Sequence, residues 1–197
     1  MGKKGKLKDL KNLNKELTKS KEWRRFVRLK IAELIEEAQN KMLKKFDNHA
    51  VTKEILGGVS AKNISNTLGG YSNLFSYIGF NSGDTPIKDL RDVLSEFSIR
   101  LYTRKDRVTI AIVIPTEKQI YSKTPLPWAT GRSWAKSIEQ GLSNFGLYIA
   151  RDGSGRSEGG IQTKNKIRSS SFDATSYLTP ILEEYYKEIK NIKNKRR

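Results

Sequence analysis

One amphipathic pattern of unusual length dominates the first quarter of the sequence. After Ser20, a good helix N-cap, apolar residues recur every three or four positions over about 25 residues, the period of one helix face. These residues are Trp23, Val27, Ile31, Leu34, Ile35, Ala38, Met42 and Phe46. Because a helix of this length exceeds the usual globular helix, we expect its first part to project beyond the body, with Arg24, Arg25 and Arg28 pointing outward.

Short helices are predicted in the next part of the chain. Glycine pairs leave room for helical turns only at residues 52–56 and 60–68. The apolar stretch 74–80 is too hydrophobic for a free loop, and we expect it to fill one side of the core. Thr85 followed by Pro86 is a typical helix start, with the buried side chains of that helix beginning at Ile87.

The spacing changes from helical to alternating near the middle of the chain. Residues 97–102 alternate apolar and polar side chains, and a charged turn at 104–107 leads to 108–114, which is apolar on both faces. This pattern predicts a β-hairpin whose second strand is central in the sheet. Residues 117–122 are expected to add a third strand.

The C-terminal third continues the mixed pattern. We expect a helix from Trp134, a strand at 147–150, a glycine-rich loop at 153–160 and an edge strand at 161–167. Lys164, Lys166 and Arg168 would protect that edge from unwanted pairing. Thr179 and Pro180 start a last amphipathic helix.

Together these elements predict an α+β fold: a long N-terminal helix, a small mostly antiparallel sheet, two or three packed helices and flexible basic termini. Residues 1–19 form a basic arm, 20–189 a single domain and 190–197 a basic tail.

The positive charge of the chain is concentrated at its ends. Of a net charge of +17, residues 1–30 contribute +9 and residues 187–197 contribute +5, which leaves +3 for the body. A nucleic-acid-binding domain usually carries its basic excess on the folded surface. This chain differs from that pattern, because its body is nearly neutral and its positive charge lies in the arms.

Residue types that carry catalysis are sparse and scattered. The chain has no cysteine, and its single histidine, His49, is interpreted as a helix-end residue, since no second histidine or cysteine can share a metal. The glycine-rich loop lacks the Gly-Lys-Ser/Thr ending of a phosphate-binding loop. We expect no enzyme activity, catalytic residues, cofactor or metal.

Residue types that are favoured at protein interfaces are more evident in this sequence than residue types that carry catalysis. Trp134 is predicted to be core from its helical spacing with Ile138, whereas Trp128 is either a core staple or a contact residue. Arg132 and Arg156 are candidate interface residues, because the arginine fork suits a neighbour's carboxylate. The other basic residues predicted at the interface are Arg24, Arg25, Arg28, Lys164, Lys166 and Arg168.

The stretch from residue 125 to 190 resembles conserved virion proteins of tailed bacteriophages, in particular neck and tail-completion proteins. The residues that carry the resemblance are Pro127-Trp128, Thr130-Gly131-Arg132-Ser133-Trp134, Gly141-Leu142, Tyr148-Ile149, Arg156-Ser157, Gly160-Ile161-Gln162, Lys164, Phe172 and Tyr177-Leu178. The resemblance implies a small α+β subunit, without catalysis, that assembles into a ring as a tail terminator or connector joining head and tail.

The resemblance also implies a location and a set of partners. The protein would be assembled into the virion in the host cytoplasm. Its partners would be neighbouring copies of itself, neck or connector proteins and tail tube or sheath proteins, with no membrane. The alternative is a basic nucleic-acid-binding protein that contacts DNA through its terminal arms. Steep weakening of binding with salt would distinguish that alternative.

Overall fold

A computed structural model describes residues 16–17, 19–68, 73–104, 107–127, 129–140 and 175–194. Several sequence predictions lie outside these residues: the roles of Trp128, Arg156, Lys164, Lys166 and Arg168, the strands at 147–150 and 161–167, and the loop at 153–160. The described part is a mixture of helices and short antiparallel strands, which confirms the predicted α+β class.

The long helix, α1, spans Lys21–Asn48 and begins where the sequence predicts. The hydroxyl of Ser20 accepts a hydrogen bond from the backbone N–H of Trp23 at 3.3 Å, so Ser20 is the N-cap. Its buried stripe runs from Ile31 to Phe46. Leu34 was predicted on this stripe, and that was wrong. Leu34 is exposed because its neighbour Ile35 takes the core position in that turn.

A second long helix, which we label α7 (Leu178–Asn194), packs against α1. It starts one residue before the predicted Thr179. Lys45 of α1 forms an ion pair with Glu184, and Lys41, one turn earlier, lies in the electrostatic field of Glu188, one turn later. The opposite order of these pairs shows that the two helices are antiparallel.

Three short helices close one end of the core: α2 (Ala50–Leu56), α3 (Leu74–Ile78) and α4 (Pro86–Leu94). The stretch 74–80 does contribute to the core, since Leu74, Phe75 and Ile78 are buried. The predicted helical turn at 60–68 was wrong: the chain forms a 3₁₀ turn at Gly58–Ser60 and then an irregular segment.

A buried carboxylate explains that irregular segment. Glu54 of α2 is fully buried, and its two oxygens accept hydrogen bonds from the backbone N–H groups of Ser65 and Leu74, both at 2.8 Å. These bonds draw 65 and 74 to α2 and compete with the local i to i−4 bonds that a helix needs.

The predicted hairpin is present as β1 (Ser98–Arg104) and β2 (Arg107–Val113), paired antiparallel. Within the described residues β2 pairs with β1 alone. The strands predicted at 147–150 and 161–167 lie outside these residues, so the central position of β2 stays a prediction. The predicted third strand at 117–122 was wrong. That segment is a helix, α5 (Glu117–Ser122), because Thr116 and Gln119 form a reciprocal capping box at its start.

A second small hairpin, β3 (Pro125–Leu126) with β4 (Ala129–Ser133), leads into helix α6 (Trp134–Gln140). Trp134 is 1% exposed, which confirms its predicted place in the core. Its ring packs edge-on against Phe80 at 5.9 Å and lies 6.4 Å from the ring of Tyr177. This aromatic cluster joins α6, α7 and the segment after α3.

Candidate assembly surface

Four of the predicted interface residues lie in the described part of the chain, and they fall on two elements. Arg24, Arg25 and Arg28 occupy the first turns of α1. Arg132 is exposed on β4, directly after Gly131, whose φ of 77° suits only glycine well. The arginines of α1 therefore share one helix segment, whereas Arg132 belongs to a separate hairpin.

The first part of α1 extends past its partner helix. From the Lys45–Glu184 pair, α7 continues ten residues to Asn194, which brings its last described residue level with about residue 35 of the antiparallel α1. At 1.5 Å per residue, residues 21–34 reach about 20 Å farther. All ten residues of 21–30 are described, and none of them is buried. Val27, however, is partly buried against the core, so the projection of this whole segment beyond the body stays a prediction.

This projecting segment carries two large apolar side chains that the sequence analysis missed. Phe26 is 62% exposed and Leu29 is 59% exposed. At 100° per residue they lie on the side of α1 that faces away from Ile31 and Ile35. Their spacing of three residues is itself a helical signal, but the longer buried stripe conceals it. We call residues 21–30 the basic segment of α1.

Charge is divided sharply along α1. The basic segment contains five basic side chains and one acidic side chain, whereas residues 31–37 contain Glu33, Glu36 and Glu37 and no basic residue. Glu33 pairs with Lys30 at 2.7 Å and Glu37 with Lys41 at 3.0 Å, but all four side chains are more than half exposed. Exposed ion pairs of this kind contribute little to the stability of the fold.

A cluster of polar side chains at the start of α7 connects three helices through hydrogen bonds. Glu139 of α6 accepts hydrogen bonds from the backbone N–H of Thr179 at 2.6 Å, from the Thr179 hydroxyl at 3.0 Å and from the hydroxyl of Tyr121. Burial and the Glu139 carboxylate raise the pKa of Tyr121 well above its ordinary value. A tyrosine held neutral in this way ties α5, α6 and α7 together and is a poor proton carrier.

His49 also has a structural role, as the sequence predicts. It ends α1 and caps α2, where its Nδ1 accepts a hydrogen bond from the backbone N–H of Val51 at 3.3 Å. Its ring lies 5.0 Å from the ring of Tyr177. Among the residues that the structure describes, no group of three or more histidine, aspartate or glutamate side chains is placed to hold a metal ion.

A groove of about 360 Å³ lies beside the α2 corner, lined by apolar side chains such as Leu56, Val59, Phe75 and Ile87. Its volume is near the lower end for small-molecule pockets, and its charged lining residues are Asp84 and Lys88.

The described ranges contain no helix whose length and hydrophobicity would suit a membrane span.

Comparisons with protein-family models, curated proteins and solved structures find no match to this chain. Among the described surfaces, the basic segment of α1 has the composition most typical of a protein interface, because two exposed apolar side chains lie among charged ones.

Proposed function

We propose that this chain is a structural virion protein of a tailed phage, a ring-forming neck or tail-completion subunit that joins head and tail. Two independent features support the proposal. One is the resemblance carried by residues 125–190. The other is the projecting segment of α1, whose composition is that of a protein interface.

The exposure of Phe26 and Leu29 is the observation that carries the proposal. Aromatic and arginine side chains are enriched at interface centres, and exposed apolar side chains within a charged rim mark binding surfaces. Here Phe26 and Leu29 supply the apolar centre, with Arg25 and Arg28 beside them. Phe26 and Leu29 lie about 9–14 Å beyond the last described residue of α7, where they are placed to contact a neighbouring subunit.

Charge along α1 supports repeated contacts between copies. The basic segment of one copy complements the acidic stretch at Glu33, Glu36 and Glu37 of the next. Contacts between two different surfaces generate a closed ring when the rotation between copies closes. Electrostatic complementarity of this kind favours correct orientation more than raw affinity.

The experiment that tests the proposal is the location of the protein in purified phage particles. Particles from cells that express the chain with a small C-terminal tag are purified, labelled against the tag and imaged. The proposal predicts label confined to the head-to-tail joint or the tail end. Particles without the protein, or label over the whole capsid surface, would contradict it.

A further inference from the structure

The groove of about 360 Å³ at the α2 corner, which we call the α2 groove, has apolar walls that stand largely in solvent. Leu56, at the end of α2, is 62% exposed, and Val59, in the 3₁₀ turn that follows, is 55% exposed. The buried side chains of Ile55, Phe75 and Ile87 complete the apolar lining. Exposed apolar side chains that are clustered, rather than scattered singly, mark interaction sites.

A third exposed apolar side chain belongs to the same corner. Ile64 is 56% exposed, and the next residue, Ser65, is held to α2 by the hydrogen bond from its backbone N–H to the Glu54 carboxylate at 2.8 Å. Three large exposed apolar side chains therefore fall between residues 56 and 64, in a part of the chain that folds back onto α2.

Hydrogen bonds and close packing fix the shape of this corner. The Nδ2 atom of Asn73 donates to the carbonyl oxygens of Val59 at 3.0 Å and of Ala61 at 3.1 Å. A Cβ atom added at Gly57 would lie 2.8 Å from the Cβ of Ala61, so only glycine fits where α2 ends. Leu56 and Val59 are thus positioned before a partner binds, which lowers the ordering cost of binding.

The exposed charge around the α2 groove is mainly positive. Most of its lining residues belong to the segments 53–62 and 82–88. The exposed charged side chains of these segments are one carboxylate and three ammonium groups: Asp84, Lys53, Lys62 and Lys88. Within the described chain none of these lysines belongs to an ion pair. An occupant that carries carboxylates would therefore complement the groove.

Two of these lysines have definite places relative to the apolar walls. Lys88 lines the groove itself. Lys53 precedes Leu56 by three residues in α2, which puts both side chains on the same side of that helix. Positive and apolar side chains thus alternate along one edge of the groove.

The openness of the walls favours a protein occupant over a small molecule. Small-molecule sites bury about 70–90% of their ligand. Here Leu56 and Val59 are themselves more than half exposed, so a small ligand between them would remain largely in water. In helix-in-groove recognition, by contrast, a partner inserts only its apolar anchors, spaced three or four residues apart, and keeps its other face in solvent.

We propose that the α2 groove receives an acidic amphipathic helix of another protein, with its apolar anchors between Leu56 and Val59 and its carboxylates beside the three lysines. The inference goes beyond self-assembly through α1. The choice of another protein over a second copy rests on the proposed function, because that function assigns the acidic stretch of α1 to the basic segment of a neighbouring copy.

The test uses three labelled peptides of about 18 residues, or about five helical turns, and the full-length protein. The first peptide presents leucines on one helix face and glutamates on the other. The second replaces the leucines with serine and keeps every glutamate, so it reports attraction by the basic termini alone. The third replaces the glutamates with lysine. Decanoate is titrated separately as a small amphiphile with the same chemical groups.

Binding is measured by fluorescence anisotropy at several salt concentrations. The leucine–glutamate peptide should bind, and its binding should weaken with salt, because attraction between exposed charges is screened. The serine and lysine peptides should bind at least roughly tenfold more weakly, since each lacks one of the two features that the groove complements.

Two groove variants have matched controls. Leu56→Ser with Val59→Ser removes the apolar walls, and Phe26→Ser with Leu29→Ser removes a similarly exposed apolar pair from α1. A second groove variant replaces all three lysines with glutamine. Its control loses equal charge through Lys44→Gln, Lys118→Gln and Lys187→Gln, at exposed positions of α1, α5 and α7. All variants keep the basic termini, and thermal melting verifies that each is folded.

The serine groove variant should weaken binding of the leucine–glutamate peptide by roughly tenfold, a loss typical of interface anchors. The glutamine groove variant should slow association and reduce the salt dependence. Both controls should bind nearly as the native protein does.

Equal losses in the groove variants and their controls, or equal binding of the leucine and serine peptides, would overturn the proposal. A greater loss in the α1 control would also overturn it, because the peptide would then lie on the basic segment of α1. So would binding of decanoate without the peptide, which would indicate a small amphiphile, or loss of self-association in the glutamine groove variant, which would indicate a second copy. Because peptide binding is measured on the isolated protein and the proposed function on phage particles, the two proposals fail separately.

Discussion

At the residue scale, two buried tyrosines differ in hydrogen bonding: Tyr177, which directly precedes α7, and Tyr185, which lies within α7. The hydroxyl of Tyr177 lies 2.9 Å from the hydroxyl of Thr52, and both residues are fully buried. The hydroxyl of Tyr185 is buried without a hydrogen-bond partner in the part of the chain that is described, and burial raises the pKa of Tyr185 to about 12. The two residues thus form a natural comparison.

Tyr177→Phe should lower the free energy of unfolding by about 1–3 kcal/mol, because the hydroxyl of Thr52 is left buried and unpaired. Tyr185→Phe should be neutral or slightly stabilising, since it removes a polar group that had no partner. Urea unfolding of both variants measures the difference. A larger loss in Tyr185→Phe than in Tyr177→Phe would contradict this assignment of the hydrogen bonds.

His49 predicts a pH dependence of stability. Burial lowers the pKa of His49 below 6.5, and its Nδ1 can accept from Val51 only when that nitrogen is unprotonated. Because the folded pKa lies below the unfolded one, this contribution is full above about pH 6.5 and is lost as pH falls through the folded pKa.

The stability of the native protein should therefore decrease as pH falls below about 6.5, the pKa of unperturbed histidine, and through the lower pKa of the folded state. His49→Asn keeps a capping acceptor and should flatten this dependence, whereas His49→Ala should cost about 0.5–2 kcal/mol at pH 7.5. Since the chain has one histidine, thermal unfolding across this pH range reports on it directly. An equally steep pH dependence in His49→Asn would show that other groups cause it.

At the scale of elements, the sequence predicts best where local signals and burial agree. The start of α1 at Ser20, the start of α4 at Pro86 and the β1–β2 hairpin follow from caps, spacing and alternation. The helix at 117–122 could also have been predicted from the sequence, because Thr116 and Gln119 are three residues apart, the spacing of a capping box. The segment 61–68 was not predictable, since Glu54 fixes it through bonds to residues 11 and 20 positions away.

The candidate surface on α1 was predicted only in part, because it too depends on contacts between residues that are distant in sequence. Its arginines follow from helix length and charge, but the solvent-facing positions of Phe26 and Leu29 depend on which side of α1 meets α7. Periodicity assigned both Leu34 and Ile35 to the buried stripe, and only Ile35 is buried. A helix with apolar residues on two sides has two candidate core faces, and only tertiary contacts decide between them.

The combined variant Phe26→Ser and Leu29→Ser should reduce self-association while leaving stability nearly unchanged, within about 0.5 kcal/mol per exposed site. Leu56→Ser with Val59→Ser is a matched control, because those side chains are 62% and 55% exposed at the α2 corner. Sedimentation velocity of both variants measures association. Equal weakening in the control would mean that general surface hydrophobicity, rather than the basic segment of α1, drives assembly.

At the scale of the whole molecule, a nearly neutral body is joined to strongly basic ends. The described body holds one core, built by α1 and α7 and closed by Trp134, Phe80 and Tyr177. Its projecting helix carries both an apolar pair and separated charges. Under the proposed assembly role, the contacts with neighbouring copies would lie on α1.

The most direct test of assembly is the native mass of the full-length protein as a function of concentration. One chain has a mass of 22.5 kDa. We predict one discrete larger species, an integer multiple of that mass, which grows with concentration and declines when Phe26 and Leu29 are replaced by serine. A mass of 22.5 kDa at every concentration, for the native chain and the variant alike, would contradict assembly through α1.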